Sequence, residues 1–83
     1  MLNTAMDLKV NIDVDANQMT IHYDPKTERT LYDLCDMNGR VLRTGLISCK
    51  ETILEMAGLT AKKYVMLIVD GDRVISQRIS LAA

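Results

Sequence analysis

The sequence contains no tryptophan and no phenylalanine, a single histidine, a single proline and two cysteines. Each shortage removes a class of explanation. With only three tyrosines beside six methionines, the interior has to come from Val, Ile, Leu and Met, an aliphatic and adaptable packing. With one histidine, His22, every histidine-dependent mechanism and every imidazole metal ligand must run through that residue. Cys35 and Cys49 are too few for the disulfide framework of small secreted domains, and they lack the short paired spacing of a structural zinc site. A net charge of −1 and a pI near 5.7 leave no electrostatic footprint for nucleic acid. No apolar run approaches the length of a membrane span. The first residues, MLNTAMDLKV, show no basic stretch leading into an apolar one, so no targeting segment is read in the chain.

Eighty-three residues make one small domain, residues 1–83, and its dominant pattern is alternation of apolar and polar residues with period two, the strand period. The stretch Leu31 to Leu42, LYDLCDMNGRVL, alternates, breaks at Asn38-Gly39 and resumes. Asn-Gly is a strong hairpin signal because a two-residue type I′ turn requires positive φ at both central positions. Upstream, Leu8 to Val14 and Met19 to Tyr23 alternate around a polar turn at Asp15 to Gln18, and Asp24-Pro25 stops the second strand. Arg29 to Asp36 and Arg40 to Thr44 form the central hairpin, with Gly45 closing it. Thr52 to Met56 reads as a strand although its residues also favour helix; the connector before it, Leu46 to Cys49, has no assigned structure. Lys63 to Val69, KYVMLIV, is apolar on both faces and reads as a central strand. Asp70-Gly71-Asp72 turns it, and Val74 to Leu81 returns as the last strand. Seven short strands with regular turn signals predict an all-β, immunoglobulin-like sandwich.

Chemistry is thinner. His22 points to the outer face on the alternation, and a solvated strand histidine is the common case. A Cys35-His22-Asp24 arrangement can be drawn, but no strained nucleophile turn, second histidine or glycine-rich oxyanion loop accompanies it. The carboxylate pairs Asp13/Asp15 and Asp70/Asp72 read as turn formers rather than calcium ligands. The two thiols are expected to be free and buried, although pairing between them is open. No catalytic residue, metal site or cofactor is therefore assigned. Asn38, Gly39, Asp70 and Gly71 are assigned as turn residues. Tyr64 stands where sandwiches of this type place a tyrosine corner, whose hydroxyl bonds backbone upstream; an ordinary core tyrosine with its hydroxyl at the surface is the alternative.

From Tyr32 onward the order of features resembles the C-terminal sorting domain of the type IX secretion system. That family carries an apolar-x-apolar-x-Asp strand, a glycine turn, then a basic and two apolar residues, matched here by Tyr32, Leu34, Asp36, Asn38, Gly39, Arg40, Val41 and Leu42. An alternating strand closes on a leucine five residues before a tyrosine, matched by Leu54, Met56, Leu59 and Tyr64. A turn and a basic-plus-apolar terminal strand follow, matched by Asp70-Gly71-Asp72 and by Arg78, Ile79 and Leu81. The chain departs from the family at Lys62 and Thr60, where glycine and proline are usual, and it lacks the Asn-Pro signature. The resemblance implies a non-catalytic sorting or surface-attachment module that is secreted, periplasmic or on the cell surface. Its partner would be the secretion machinery or a surface protein, read through Arg78, Ile79 and Leu81. A stand-alone secreted or periplasmic binding or adhesion module is the alternative, and no particular oligomeric state is implied.

Overall fold

The computed structural model describes residues 8–81; residues 1–7 of the segment read for a leader, and residues 82–83 of the terminal segment, lie outside the described residues. Seven strands follow one another: β1 (Lys9–Asp13), β2 (Gln18–His22), β3 (Thr30–Cys35), β4 (Val41–Leu46), β5 (Glu51–Glu55), β6 (Lys63–Asp70) and β7 (Arg73–Ser80). All pairings are antiparallel. One sheet has the order β1-β2-β5 and the other β4-β3-β6-β7. Lettered A to G, these are A-B-E facing C′-C-F-G, an immunoglobulin-like sandwich with its fourth strand on the sheet of C, F and G. The segment Glu51–Glu55 is a strand because its partner β2 supplies a ladder, with Leu54 opposite Met19 and both buried; helix propensity there is overridden by tertiary pairing.

The core follows the alternation. Met19 and Ile21 of β2 and Leu54 of β5 meet Tyr32 and Leu34 of β3 and Tyr64, Met66 and Ile68 of β6 in one buried cluster. Burying each such aliphatic side chain contributes roughly 1.5–3 kcal/mol. The three tyrosines all point inward and are buried.

Two turn details differ from the sequence reading. At Asn38-Gly39 the hairpin forms, but only Gly39 has positive φ (88°); among the described residues Asn17 (57°) is the sole non-glycine with one. The loop has three residues, Met37, Asn38 and Gly39, closed by Asp36 N–H to Arg40 O (2.9 Å) and Gly39 N–H to Asp36 O (3.1 Å). A tight turn followed by a left-handed glycine is the three-residue hairpin pattern, not type I′. The cause is Asp36, whose Oδ1 accepts from the N–H of both Asn38 and Arg40 at 2.9 Å and so holds the longer loop.

Gly45, expected to end a strand, lies inside β4 opposite Tyr32. A Cβ there would sit 2.6 Å from Tyr32 Cε2. The missing side chain is thus the space in which the Tyr32 ring lies. Gly45→Ala is expected to cost about 1–3 kcal/mol by forcing this ring aside. Gly39→Ala meets no atom within 4 Å and is expected to cost only the left-handed backbone term, about 1 kcal/mol. Urea unfolding of the two variants checks the order.

Candidate functional site

At the end of the sandwich where β2 leaves one sheet and β3 enters the other, the alternation of β6 turns its last residue, Asp70, inward. Asp70 is 1% exposed, and among the described residues it is the only buried residue with a charged side chain. An unpaired carboxylate there would be costly, and the loop between β2 and β3 supplies its partners. Oδ2 accepts from Tyr23 Oη (2.5 Å) and the Lys26 N–H (2.8 Å). Oδ1 accepts from the Thr27 N–H (3.0 Å) and Thr27 Oγ1 (2.7 Å), and Thr30 Oγ1 lies 2.9 Å away. Burial by itself would push this carboxyl up. The donors from Tyr23, Lys26, Thr27 and Thr30 outweigh it and hold Asp70 well below the usual carboxylate range.

Gly71, with φ 60°, occupies the first place of the two-residue turn between β6 and β7 and donates its N–H to Arg29 O. The crossing loop is thereby fastened at both of its ends to one hairpin. Chemically, the carboxylate is an acceptor whose two oxygens are already engaged, a clamp rather than a general acid or base.

Tyr64, the second residue of β6, does occupy the corner position, but its hydroxyl is buried and has no hydrogen-bond partner. It makes neither the backbone bond of a tyrosine corner nor contact with the surface. The tyrosine that anchors a crossover here is Tyr23, at the other end. A buried hydroxyl with no partner costs about 1–3 kcal/mol. Tyr64→Phe is therefore expected to stabilise the domain by about 1 kcal/mol, whereas Tyr23→Phe, losing a charge-assisted bond, is expected to destabilise it by about 2 kcal/mol. Thermal unfolding of the pair reads opposite signs.

The residues that could be drawn as a catalytic arrangement are kept apart. His22 lies on the outer face of the three-stranded sheet, between Lys9 and Glu51 in the ladders. Its Nε2 is 3.0 Å from Asn11 Nδ2 and its Nδ1 3.6 Å from Glu51 Oε2. Cys35 belongs to the other sheet, paired with Val41 and Val65. Both cysteines are free, and Cys49, expected to be buried, is exposed in the connector, with Sγ 3.2 Å from Glu51 O. Burial pushes the Cys35 thiol up, and Asp33 and Asp36 add to the rise. Asp13 acts as a turn former, accepting the Ala16 N–H at 3.1 Å. Among the described residues no group of three or more His, Cys, Asp or Glu could hold a metal ion.

A further clamp was not visible in the sequence. Arg43, facing inward from β4, donates to Leu42 O and to Ala57 O of the loop after β5, closing the edge between the two sheets.

The terminal strand β7 pairs with β6 alone and is an edge of its sheet. Its residues divide by face. Arg78 is exposed, Ile79 is 5% exposed and joins the core, and Leu81 is half-buried with its N–H donated to Lys62 O at 2.7 Å. Of the three positions assigned to recognition, the folded domain offers only the Arg78 side chain fully to a partner. No protein-family model matches the chain and no curated protein matches it significantly.

Proposed function

We propose that this domain is a non-catalytic recognition module that works as a type IX-like sorting or surface-attachment domain, with the secretion machinery or a surface protein as its partner. The observation that carries this reading is the position of β7. It is an eight-residue edge strand, and an edge strand presents backbone N–H and C=O groups for pairing with a partner strand. Exposed Val74, Ser76 and Arg78 alternate along it with side chains that face the core. Backbone pairing would supply affinity and the alternate side chains specificity. The inward residues hold the strand in place.

A passenger protein fused ahead of the domain in a type IX-competent host tests the reading. Export is expected with the parent domain, is expected to fall with Arg78→Glu at unchanged stability, and is expected to rise with Lys62→Gly, which restores the family residue. Absence of export for every folded form would remove the sorting role and favour a binding or adhesion module. Localisation outside the cytoplasm stands or falls with the same experiment.

A further inference from the structure

The outer faces of the two sheets are unlike each other. On the three-stranded sheet the outward positions are Lys9, Asn11 and Asp13 on β1, Gln18, Thr20 and His22 on β2, and Glu51, Ile53 and Glu55 on β5, so a single apolar side chain faces out. On the four-stranded sheet the registers lay out three rows. The first is Leu46, Leu31, Val69, Val74; the second is Thr44, Asp33, Leu67, Ser76; the third is Val41, Cys35, Val65, Arg78. Leu46, Val74 and Val41 are 76%, 64% and 51% exposed. Eight of these twelve outward positions are apolar, against one of nine on the other sheet.

We infer that this face is the contact surface of a homodimer, in which two copies of the chain pack their four-stranded sheets face to face about a two-fold axis running along the strands. The contact would cover Val74, Ser76 and Arg78, the side chains offered above to a sorting partner, so dimer and partner would compete for β7.

Size and charge select the second copy. Strands lie about 4.8 Å apart and same-face residues about 6.8 Å apart along a strand, so the three rows span roughly 19 by 20 Å. Allowing for side-chain relief, that is about 600 Å² per copy and about 1,200 Å² per dimer, at the threshold of specific interfaces.

Within the three rows the charges are one acid, Asp33, and one base, Arg78, with exposed Lys63 beyond them at the rim. The charges within the rows choose the axis. A two-fold across the strands would set the two Asp33 carboxylates against each other in an apolar surrounding, and like charges so placed cost several kcal/mol. A two-fold along the strands lays β3 of one copy over β6 of the other. Leu31 then covers Val69, Leu46 covers Val74, and Asp33 lies over Leu67, offset from its mate; Cys35, only 5% exposed, adds little surface. The contact is isologous and closes at two copies.

Sedimentation velocity of the full chain from about 5 μM to about 1 mM tests it, the range being that of a threshold-sized interface. The parent is expected to move from monomer to dimer mass as concentration rises. The double variant Leu46→Asp/Val74→Asp places carboxylates opposite one another across the contact while leaving the core untouched. It is expected to weaken the dimer more than a hundredfold with an unchanged melting curve at low concentration. Ile53→Asp, on the other sheet, is expected to dimerise like the parent. A parent that is monomeric throughout, a double variant that dimerises like the parent, or species growing past the dimer with concentration would each overturn the inference.

Discussion

Asp70→Ala is expected to destabilise the domain by about 3 to 5 kcal/mol, since it strands several buried neutral donors at roughly 1–3 kcal/mol each. The alanine leaves the Tyr23 hydroxyl and the Lys26 and Thr27 amides facing a void at the point where the chain crosses from one sheet to the other. Asp70→Asn keeps the shape but turns amide hydrogens toward donors, and is expected to fall between alanine and the parent.

Acid carries the same information. The folded-state pKa lies below the ordinary 3.8, so the stabilisation from Asp70 is fully present above 3.8. As pH falls below that value the unfolded chain takes up the proton first, and the stabilisation is lost progressively toward the lower folded value. The parent is expected to lose stability more steeply than Asp70→Asn below about pH 4. Urea midpoints at pH 7 and at about pH 3 for both proteins provide the measurement, and parallel slopes would show that the clamp contributes nothing to acid sensitivity.

Ile79→Asp is expected to have the second large effect, about 4 kcal/mol or more, enough to unfold a domain of ordinary stability. Ile79 is 5% exposed, opposite Tyr64 in the ladder. No buried lysine or arginine is present among the described residues to pair with a carboxylate placed there, so its desolvation is uncompensated. One residue earlier, Arg78→Glu is exposed and is expected to stay within about 0.5 kcal/mol of the parent. The contrast separates folding from recognition on the same strand. Loss of export with Ile79→Asp would report an unfolded signal, whereas loss with Arg78→Glu would report a damaged contact. Circular dichroism in both variants distinguishes the two, and a fully folded Ile79→Asp would place that side chain outside the core.

Most of the fold was legible in the sequence because its signals are local. Period-two alternation placed all seven strands to within a residue or two, and the two-sided apolar run at Lys63 to Val69 correctly pointed to an interior strand. The turn at Asn38-Gly39 was found but mistyped, since the deciding group is the Asp36 side chain and not the dipeptide that the turn statistics weigh. Gly45 was read as a strand end because nothing in its neighbourhood announces that the Tyr32 ring, thirteen positions earlier, needs the space.

The site was less legible because its parts are far apart along the chain. Asp70 looked like the first residue of an Asp-Gly turn, and it is one. Its second role depends on Tyr23, Lys26, Thr27 and Thr30, some forty or more positions away, meeting its carboxylate. The reversal at the tyrosines has the same origin. Position in a strand brings Tyr64 to the corner, but only packing decides whether an acceptor lies within reach of its hydroxyl, and none does.

By itself, then, the sequence determined the class of fold, the succession of strands and the face most strand side chains take, because steric alternation along a strand acts between near neighbours; the bulge after Leu34 that turns Val41 outward was not among its signals. The tertiary structure alone decided which tyrosine is anchored, that a turn aspartate is the clamp of a crossing loop, and that one sheet turns an apolar face outward. Those outcomes depend on desolvation and hydrogen bonding between groups that come together only when the two sheets close.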